Sequence, residues 1–485
     1  MNILLLGVPY ESWENVVKEL IDKGNTITII GWKEDKVSWI KYDVKFLMIE
    51  DLWKLNKLYS NLDNFKFFQD SSSHEMIRLI GMIGRLSSSK NDIDFMLRNE
   101  IATEQYNLWT NFLVDESIEY ILMSNIPHRI WDYAIYLASK ELNIKCHCFA
   151  LTPFLSNVLV YDNLDKNPIE FQENKYCTNF SVLENRYKKI KKLNNDSIPA
   201  DMVIQDKINK SPFIYVLKKY YGKLKRFKFS RYKELARPNT YRWFSNSLLK
   251  RDSPTWINYI IDSFRKYFFL RKLKNSYNKV SITKLDKSIP TYFFALHYQP
   301  EETTLPSAFK YYDQISLIKL IYSNLPGDSI LLVKEHPSQF YFSNEGDNGR
   351  DLDFYNRIID IGPKIRLLDM SISSFDVLKS TQGIITINGT IGYEAALAGV
   401  KVMAFGRVWY KGLKNIYHIQ NDTLESFFNA NNSSFNQEDW DTFIRKFSRS
   451  LISCKPYKEH LLYQDILIKD STLIILKFLQ NEVLI

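Results

Sequence analysis

The sequence predicts an α/β protein of two doubly wound domains with a basic helical insertion between them. Short apolar runs alternate with stretches of helical period at both ends of the chain. At 485 residues the chain is too long for one compact core and long enough for two domains and an insertion. Between the two series the alternation gives way to Lys and Arg interleaved with Tyr and Phe. Hydrophobic residues at 45% and charged residues at 25% are ordinary globular usage, which excludes a disordered chain. Cys146, Cys148, Cys177 and Cys454 are sparse, and Cys146-His147-Cys148 lacks the two-residue gap of a zinc knuckle, so reduced thiols are expected.

The first domain is expected over residues 1–155. Residues 2–8 form a strand, 12–23 a helix ended by Gly24, and 26–31 a second strand. Apolar runs at 44–49, 65–69, 118–124 and 144–150 supply further parallel strands, the last two joined by a helix over 129–142. The opening run is too short, and lacks the basic leader, for a signal peptide. No stretch approaches the roughly 18 apolar residues of a membrane span, so cytoplasmic placement with any membrane contact peripheral is expected.

Residues 156–286 make the insertion. Over residues 206–280 twenty Lys and Arg stand against four acidic residues, which concentrates the net charge of +9 here. Basic amphipathic helices fit this pattern. The expected partner is anionic: an acidic glycan, or a membrane surface whose headgroups meet the lysines while aromatic rings bury at the interface. Nucleic acid competes for the same charge, but no nucleic-acid-reading motif accompanies it.

The second domain is expected over 287–455. Its strands lie at 291–298, 329–335, 365–369, 383–387 and 401–405, and its helices at 313–323, from Ser373, and at 391–398. Ser373 with Asp376 three residues on has the form of a capping box. Residues 456–485 are helical by period and are expected to pack back across the domains.

Candidate chemistry sits in four segments. Thr386-Ile387-Asn388-Gly389-Thr390-Ile391-Gly392-Tyr393-Glu394 is a strand running through a small polar turn into a helix. Free N–H groups at such a helix start converge where a phosphate sits. Asn388, Gly389 and Thr390 line that place, and Glu394 is positioned to accept from a ribose diol. In Val333-Lys334-Glu335-His336-Pro337 the proline stops the strand, putting His336 where open α/β sheets bind ligands, with Lys334 adding charge. The loop His297-Tyr298-Gln299-Pro300-Glu301-Glu302 offers a base for deprotonating a hydroxyl, Glu301 or His297 ahead of Glu302. In the first domain Pro127-His128-Arg129 opens a helix. His128 and Arg129 are candidate acceptor contacts there, although Pro127 and Asp132 suit a helix start for structural reasons alone. Asp351-Leu352-Asp353 and Asp439-Trp440-Asp441 have a metal-binding spacing but read as surface charge, so neither metal nor cofactor is expected. No P-loop, dinucleotide fingerprint, nucleophile elbow or zinc-protease helix is present.

The ordered set His297-Tyr298-Gln299-Pro300-Glu301, Lys334-Glu335-His336-Pro337, Asn388-Gly389-Thr390-Ile391-Gly392-Tyr393-Glu394-Ala395, and Phe405-Gly406 with Trp409-Tyr410 resembles bacterial capsule polysaccharide biosynthesis proteins. These include relatives of the retaining Kdo transferases, and the resemblance covers residues 291–418. It implies a glycosyltransferase of GT-B fold, two Rossmann-like domains facing a cleft. The implied donor is a CMP-activated ulosonic acid: Kdo, or a nonulosonic acid of sialic, pseudaminic or legionaminic type. It further implies that His336 and Pro337 contact the nucleotide and that Gly389 and Thr390 hold the phosphate. Kdo transferases of this group carry Arg-x-Glu-Asp-Gly where this chain has Gln299-Pro300-Glu301-Glu302, a departure at the expected base. The implied partners are the nucleotide sugar and a glycan or glycolipid acceptor of capsule or lipopolysaccharide. Two other readings stay open: a UDP-sugar-dependent enzyme of the same fold, and a non-catalytic scaffold of a polysaccharide assembly complex.

Overall fold

The computed structural model describes residues 1–49, 52, 73–84, 94–154, 156–172, 175–177, 256–284, 288–300, 304–344, 346–462 and 464–483. The strand expected at 65–69, most of the basic insertion, and Glu301 and Glu302 lie outside the described residues. The described residues fall into two compact units, one holding those of 1–84, 94–177 and 440–483, the other those of 256–439.

The first sheet begins with β1 (Asn2–Leu6), β2 (Thr26–Gly31), β3 (Val44–Met48), β4 (Tyr120–Met123), β5 (Lys145–Leu151) and β6 (Asn157–Tyr161). The second contains β7 (Ser281–Ile282), β8 (Thr291–Ala295), β9 (Ile330–Lys334), β10 (Ile365–Leu368), β11 (Gly383–Thr386), β12 (Val402–Ala404) and β13 (Ile416–His418). A last strand, β14 (Leu451–Ser453), returns to the first sheet.

In the first unit the strand order is β14-β6-β5-β4-β1-β2-β3, parallel from β3 to β5 and antiparallel at β6 and β14. Ile3 to Leu6 are buried on both faces of the sheet, which is why this strand reads as an unbroken apolar run. The helix Tyr10–Asp22 turns Trp13, Val16, Val17 and Leu20 inward at helical spacing, and Gly24 ends it at φ 81°. The helix Ile468–Phe478 packs here too. Ile475 and Phe478 join Val16 and Val17 in one core, and Trp13 Nε1 donates to Pro456 O at 3.2 Å.

Three expectations are corrected. The boundary at 155 cuts a pair, since β6 folds back antiparallel on β5 through Ala150–Leu159 and its neighbours. The second domain does not run to 455, because β14 pairs Ile452 with Val158 in the first sheet. Nor does the insertion reach 286: Leu270, Leu273 and Tyr277 of the helix Trp256–Val280 are buried in the second unit's core, and β7 pairs with β10. The helices Ser73–Ile83 and Phe95–Asp115 stand where no element was expected. The longer one buries Gln105, Asn107 and Thr110 together with Trp109 and Phe112, so no single apolar stripe betrays it in the sequence.

The second unit is wholly parallel in the order β13-β12-β11-β8-β9-β10-β7. Chain order leaves β8 toward β9 and β10, then crosses back to β11 on the other side of β8. The gap between the carboxyl ends of β8 and β11 is therefore the topological switch point, where doubly wound sheets take their ligands. Among the described residues no helix is long and apolar enough to cross a membrane.

Candidate functional site

The turn after β11 stands at that switch point. Gly389 caps the helix Thr390–Leu397 with extended backbone and no side-chain cap. Its own amide donates to Thr386 Oγ1 at 3.0 Å, tying the turn to the strand it leaves. The amides of Thr390 and Ile391 have no acceptor among the described residues, and Thr390 is exposed. Such amides, at the positive end of a helix, point their N–H groups where an anion is favoured. A Cβ on Gly389 would stand 3.0 Å from Thr386 Oγ1 and 3.3 Å from His297 Cε1, so a side chain here pushes the turn off its support.

That support is His297, at the end of β8. Its Nε2 lies 3.3 Å from Thr386 Oγ1 and accepts from the amides of Ile387 at 3.3 Å and Asn388 at 3.5 Å. A nitrogen that accepts backbone N–H bonds carries no proton, so the ring is neutral with its hydrogen on Nδ1. Burial pushes the imidazole down to about 3, and the neighbouring His336 and Arg350 add to the effect. With 8% of its surface exposed, His297 is built to hold the turn rather than to take a proton from a substrate.

Behind both strand ends lies a buried ion pair that the sequence did not advertise. Arg350 Nε meets Glu335 Oε2 at 3.0 Å, and the guanidinium also donates to His297 O at 2.8 Å. Glu335 accepts from Tyr355 Oη at 2.9 Å and from the amide of His336 at 2.8 Å. Every oxygen of this carboxylate is used, and the pair binds the ends of β8 and β9 into one piece. Gln339, fully buried, adds a second clamp: it exchanges hydrogen bonds of 2.9 Å with the amide and carbonyl of Gln299. Nothing in the periodicity marks Arg350 or Gln339, because each matters through partners more than ten residues away.

His336 and Pro337 open the short 3-10 helix Pro337–Phe340. His336 Nδ1 accepts from the amide of Ser338 at 3.2 Å, which leaves Nε2–H as the ring's donor. Burial holds its pKa below the ordinary imidazole value, against an opposing pull from Glu335. Lys334 does not join them. Strand alternation turns it away, and its ammonium donates to Ile372 O beside Asp369.

Glu394 lies one helical turn past Thr390. Its carboxyl makes no hydrogen bond to a described residue, and burial pushes it up to about 7. Beside it Tyr393, Trp409 and Tyr410 form an aromatic cluster, with Trp409 4.6 Å from Tyr393 and 5.3 Å from Tyr410. The Tyr410 hydroxyl donates to Gly389 O, fixing the turn from the side opposite His297. Glu301, the expected base, lies outside the described residues.

The remaining candidates are placed elsewhere. His128 and Arg129 belong to the first unit, at the start of the helix Ile130–Glu141. His128 Nδ1 contacts Ile126 O at 2.7 Å, and the Arg129 amide donates to Asp132 at 2.7 Å, while its guanidinium covers Trp32 at 4.6 Å. The first two contacts are local, and the third reaches Trp32 on a distant stretch of the same unit. Asp351 pairs with Arg357 at 2.6 Å and Asp439 with Lys414 at 3.1 Å, so both Asp-x-Asp segments are engaged by cations. His74, Glu75 and Asp165 of the first unit cluster closely, but Lys140 neutralises Glu75 and Arg78 neutralises Asp165.

Comparison with known proteins gives one family match and several distant structural likenesses. Residues 306–429 match the family model described as capsule polysaccharide biosynthesis protein. No curated protein matches the chain. Among solved structures, the chain is similar to the KpsC beta Kdo 2,4 transferase of Thermosulfurimonas dismutans at 12% identity and a TM-score of 0.23. That likeness covers 39% of this chain and 54% of the other, so the chain spans about half of its length. It is also similar to UDP-GlcNAc 2-epimerase of Methanocaldococcus jannaschii, at 10% identity over 99% of both chains with a TM-score of 0.20. The S. aureus MnaA-UDP structure resembles it at 9% identity over 99% and 96%, with a TM-score of 0.23. The matched residues 306–429 contain the turn after β11, the helix it opens and the Arg350–Glu335 pair.

Proposed function

We propose that this chain is a glycosyltransferase that moves an ulosonic acid from a CMP-activated donor to a surface polysaccharide acceptor, working at the cytoplasmic face of the membrane. The observation that carries the reading is the pair of unanswered amides at Thr390 and Ile391, standing at the switch point of the second unit. A CMP-sugar leaves through a single phosphate. Negative charge grows on that phosphate as its bond to the anomeric carbon breaks, and preorganised N–H donors with the Nε2–H of His336 stabilise it without a metal. Glu394 takes the ribose hydroxyls. Glu301, which follows β8 in the sequence, removes the proton of the acceptor hydroxyl as its oxygen bonds to the anomeric carbon. His297, spent on the turn, is a positioning residue in this scheme.

A UDP-sugar fits the same type of turn, and titration separates the two. CMP, UDP and GDP are titrated calorimetrically into the purified chain and into Thr390→Val. Selective CMP binding, weakened in the variant and in His336→Ala, supports the proposal. Preference for UDP moves the assignment to a UDP-sugar enzyme, and binding of none of the three favours the scaffold. Glu301→Gln is expected to abolish transfer with nucleotide affinity nearly intact; equal loss of both removes it as the base.

A further inference from the structure

We infer that a basic groove in the first unit is a second binding site, for an acidic carbohydrate chain. The groove encloses about 1220 Å³ and is lined by Lys175, Arg445, Arg449 and Lys477 together with Glu170 and Glu482. It draws on three separate stretches: the segment after β6, the end of the helix Gln437–Phe447 with the turn before β14, and the last turn of the helix Ile468–Phe478 with the segment Leu479–Val483 that follows it.

Its charge is not balanced from within. Lys175 is held by Glu482, Nζ to Oε1 at 3.2 Å. Arg445 donates only to its own helix, at Asp441 O and Thr442 Oγ1, and Arg445, Arg449 and Lys477 form no ion pair with a described residue. Three like charges around one concavity repel, and the low-dielectric wall behind them focuses the field that an anion would relieve. That wall is ordered. Phe171 donates its amide to Arg449 O at 2.9 Å and packs edge-on against Tyr176 at 4.8 Å, and Tyr176 donates to Glu482 Oε1 at 2.8 Å.

The position separates this groove from the usual ligand edge of its own sheet. β6 runs against the parallel strands and β14 runs with them, so the segment after β6 and the turn before β14 both lie at the amino edge of the sheet. Lys145, the first residue of β5, donates to Glu482 O at that same edge. A doubly wound sheet takes its usual ligand at the other edge.

The lining identifies the ligand class. Guanidinium groups grip carboxylates in pairs of bonds, while Glu170, Glu482 and the Asn481 amide are the partners that hydroxyl groups need. A lipid surface is met instead by a basic face with apolar anchors, and the one large apolar residue in this lining, Phe171, is 6% exposed. The chain's own 178–255 stretch is a poor occupant, since it carries nineteen Lys and Arg against six acidic residues. Alternating carboxylates and hydroxyls along a sugar chain match the groove, whatever nucleotide the other unit binds.

The test titrates the full chain with hexagalacturonate, with neutral maltohexaose, and with phosphatidylglycerol vesicles, and repeats all three on Arg445→Ala/Arg449→Ala/Lys477→Ala. Hexagalacturonate is expected to bind at least tenfold tighter than maltohexaose and to weaken at least tenfold in the triple variant, with CMP binding and vesicle binding unchanged. Equal hexagalacturonate affinity in both proteins overturns the site. Vesicle binding that falls as far as glycan binding also overturns it, because the groove then reads lipid phosphate. Should the triple variant lose its native circular dichroism, Arg449→Gln and Lys477→Gln replace it, each expected to weaken hexagalacturonate about threefold or more.

Discussion

Glu394 carries a carboxyl that burial lifts to about 7, with no described partner to compensate. Unfolded, the same group ionises near 4.5. Above that pH the unfolded chain gives up a proton that the folded chain still holds, so folding is penalised increasingly up to about 7 and constantly beyond. Glu394→Gln is therefore expected to raise stability by about 1 to 3 kcal/mol at pH 8 and to change little at pH 4, while weakening nucleotide binding. Thermal melts at the two pH values check this, and an equal gain at both sinks the explanation. Arg350 is the opposite case, since its charge is answered by Glu335 in a place where neither is exposed. Arg350→Met leaves that carboxylate buried and unpaired, at a cost of about 3 to 5 kcal/mol in urea unfolding. Adding Glu335→Gln is expected to recover part of the loss. No recovery means that the lost bond to His297 O, rather than the stranded charge, sets the cost.

The elements that hold the site are loops pressed against strand ends. A Cβ on Gly349 would stand 1.9 Å from Gln299 O, a backbone atom that cannot swing aside. Gly349→Ala is expected to destabilise by about 1 to 3 kcal/mol and to loosen nucleotide binding, because the loop it displaces carries Arg350. Gly327→Ala is the matched control. Nothing lies within 4 Å of its Cβ, and an effect within about 0.5 kcal/mol in the same denaturation is expected. Comparable losses at the two glycines would show that the Gly349 clash is absorbed. The two-residue β7 and the three-residue β13 escaped the reading, whereas β8 to β12 were legible to within a few residues because parallel strands covered on both faces must be apolar throughout. The three-residue β14 and the two-sided helix Phe95–Asp115 were not, the first for want of length and the second for want of a single face.

Across the whole molecule, burial keeps several imidazoles neutral. His147 and His460 are pushed to about 4 and His297 to about 3, with His336 and His418 lowered in the same direction. Each binds its proton more weakly folded than unfolded. Below an unfolded value of about 6.5 the unfolded chain gains protons that the folded chain refuses, so stability falls steadily between about pH 6.5 and 4. Melting curves taken from pH 8 to 4.5 are expected to hold level down to about 6.5 and then to fall. A flat profile to pH 5 would contradict the buried neutral histidines.

By itself the sequence determined the α/β class, the place of most parallel strands along the chain, and the turn Asn388-Gly389-Thr390 with Glu394 behind it, because apolar runs and a strand-to-helix turn are written locally. Tertiary structure alone decided which side chains those features rely on. His297 proved to be the turn's support, Lys334 turned to Ile372, and Arg350, Gln339 and Tyr410 entered as the groups that hold the site. Their importance lies in hydrogen bonds across tens of residues, and contacts of that kind leave no period or spacing in the chain to read.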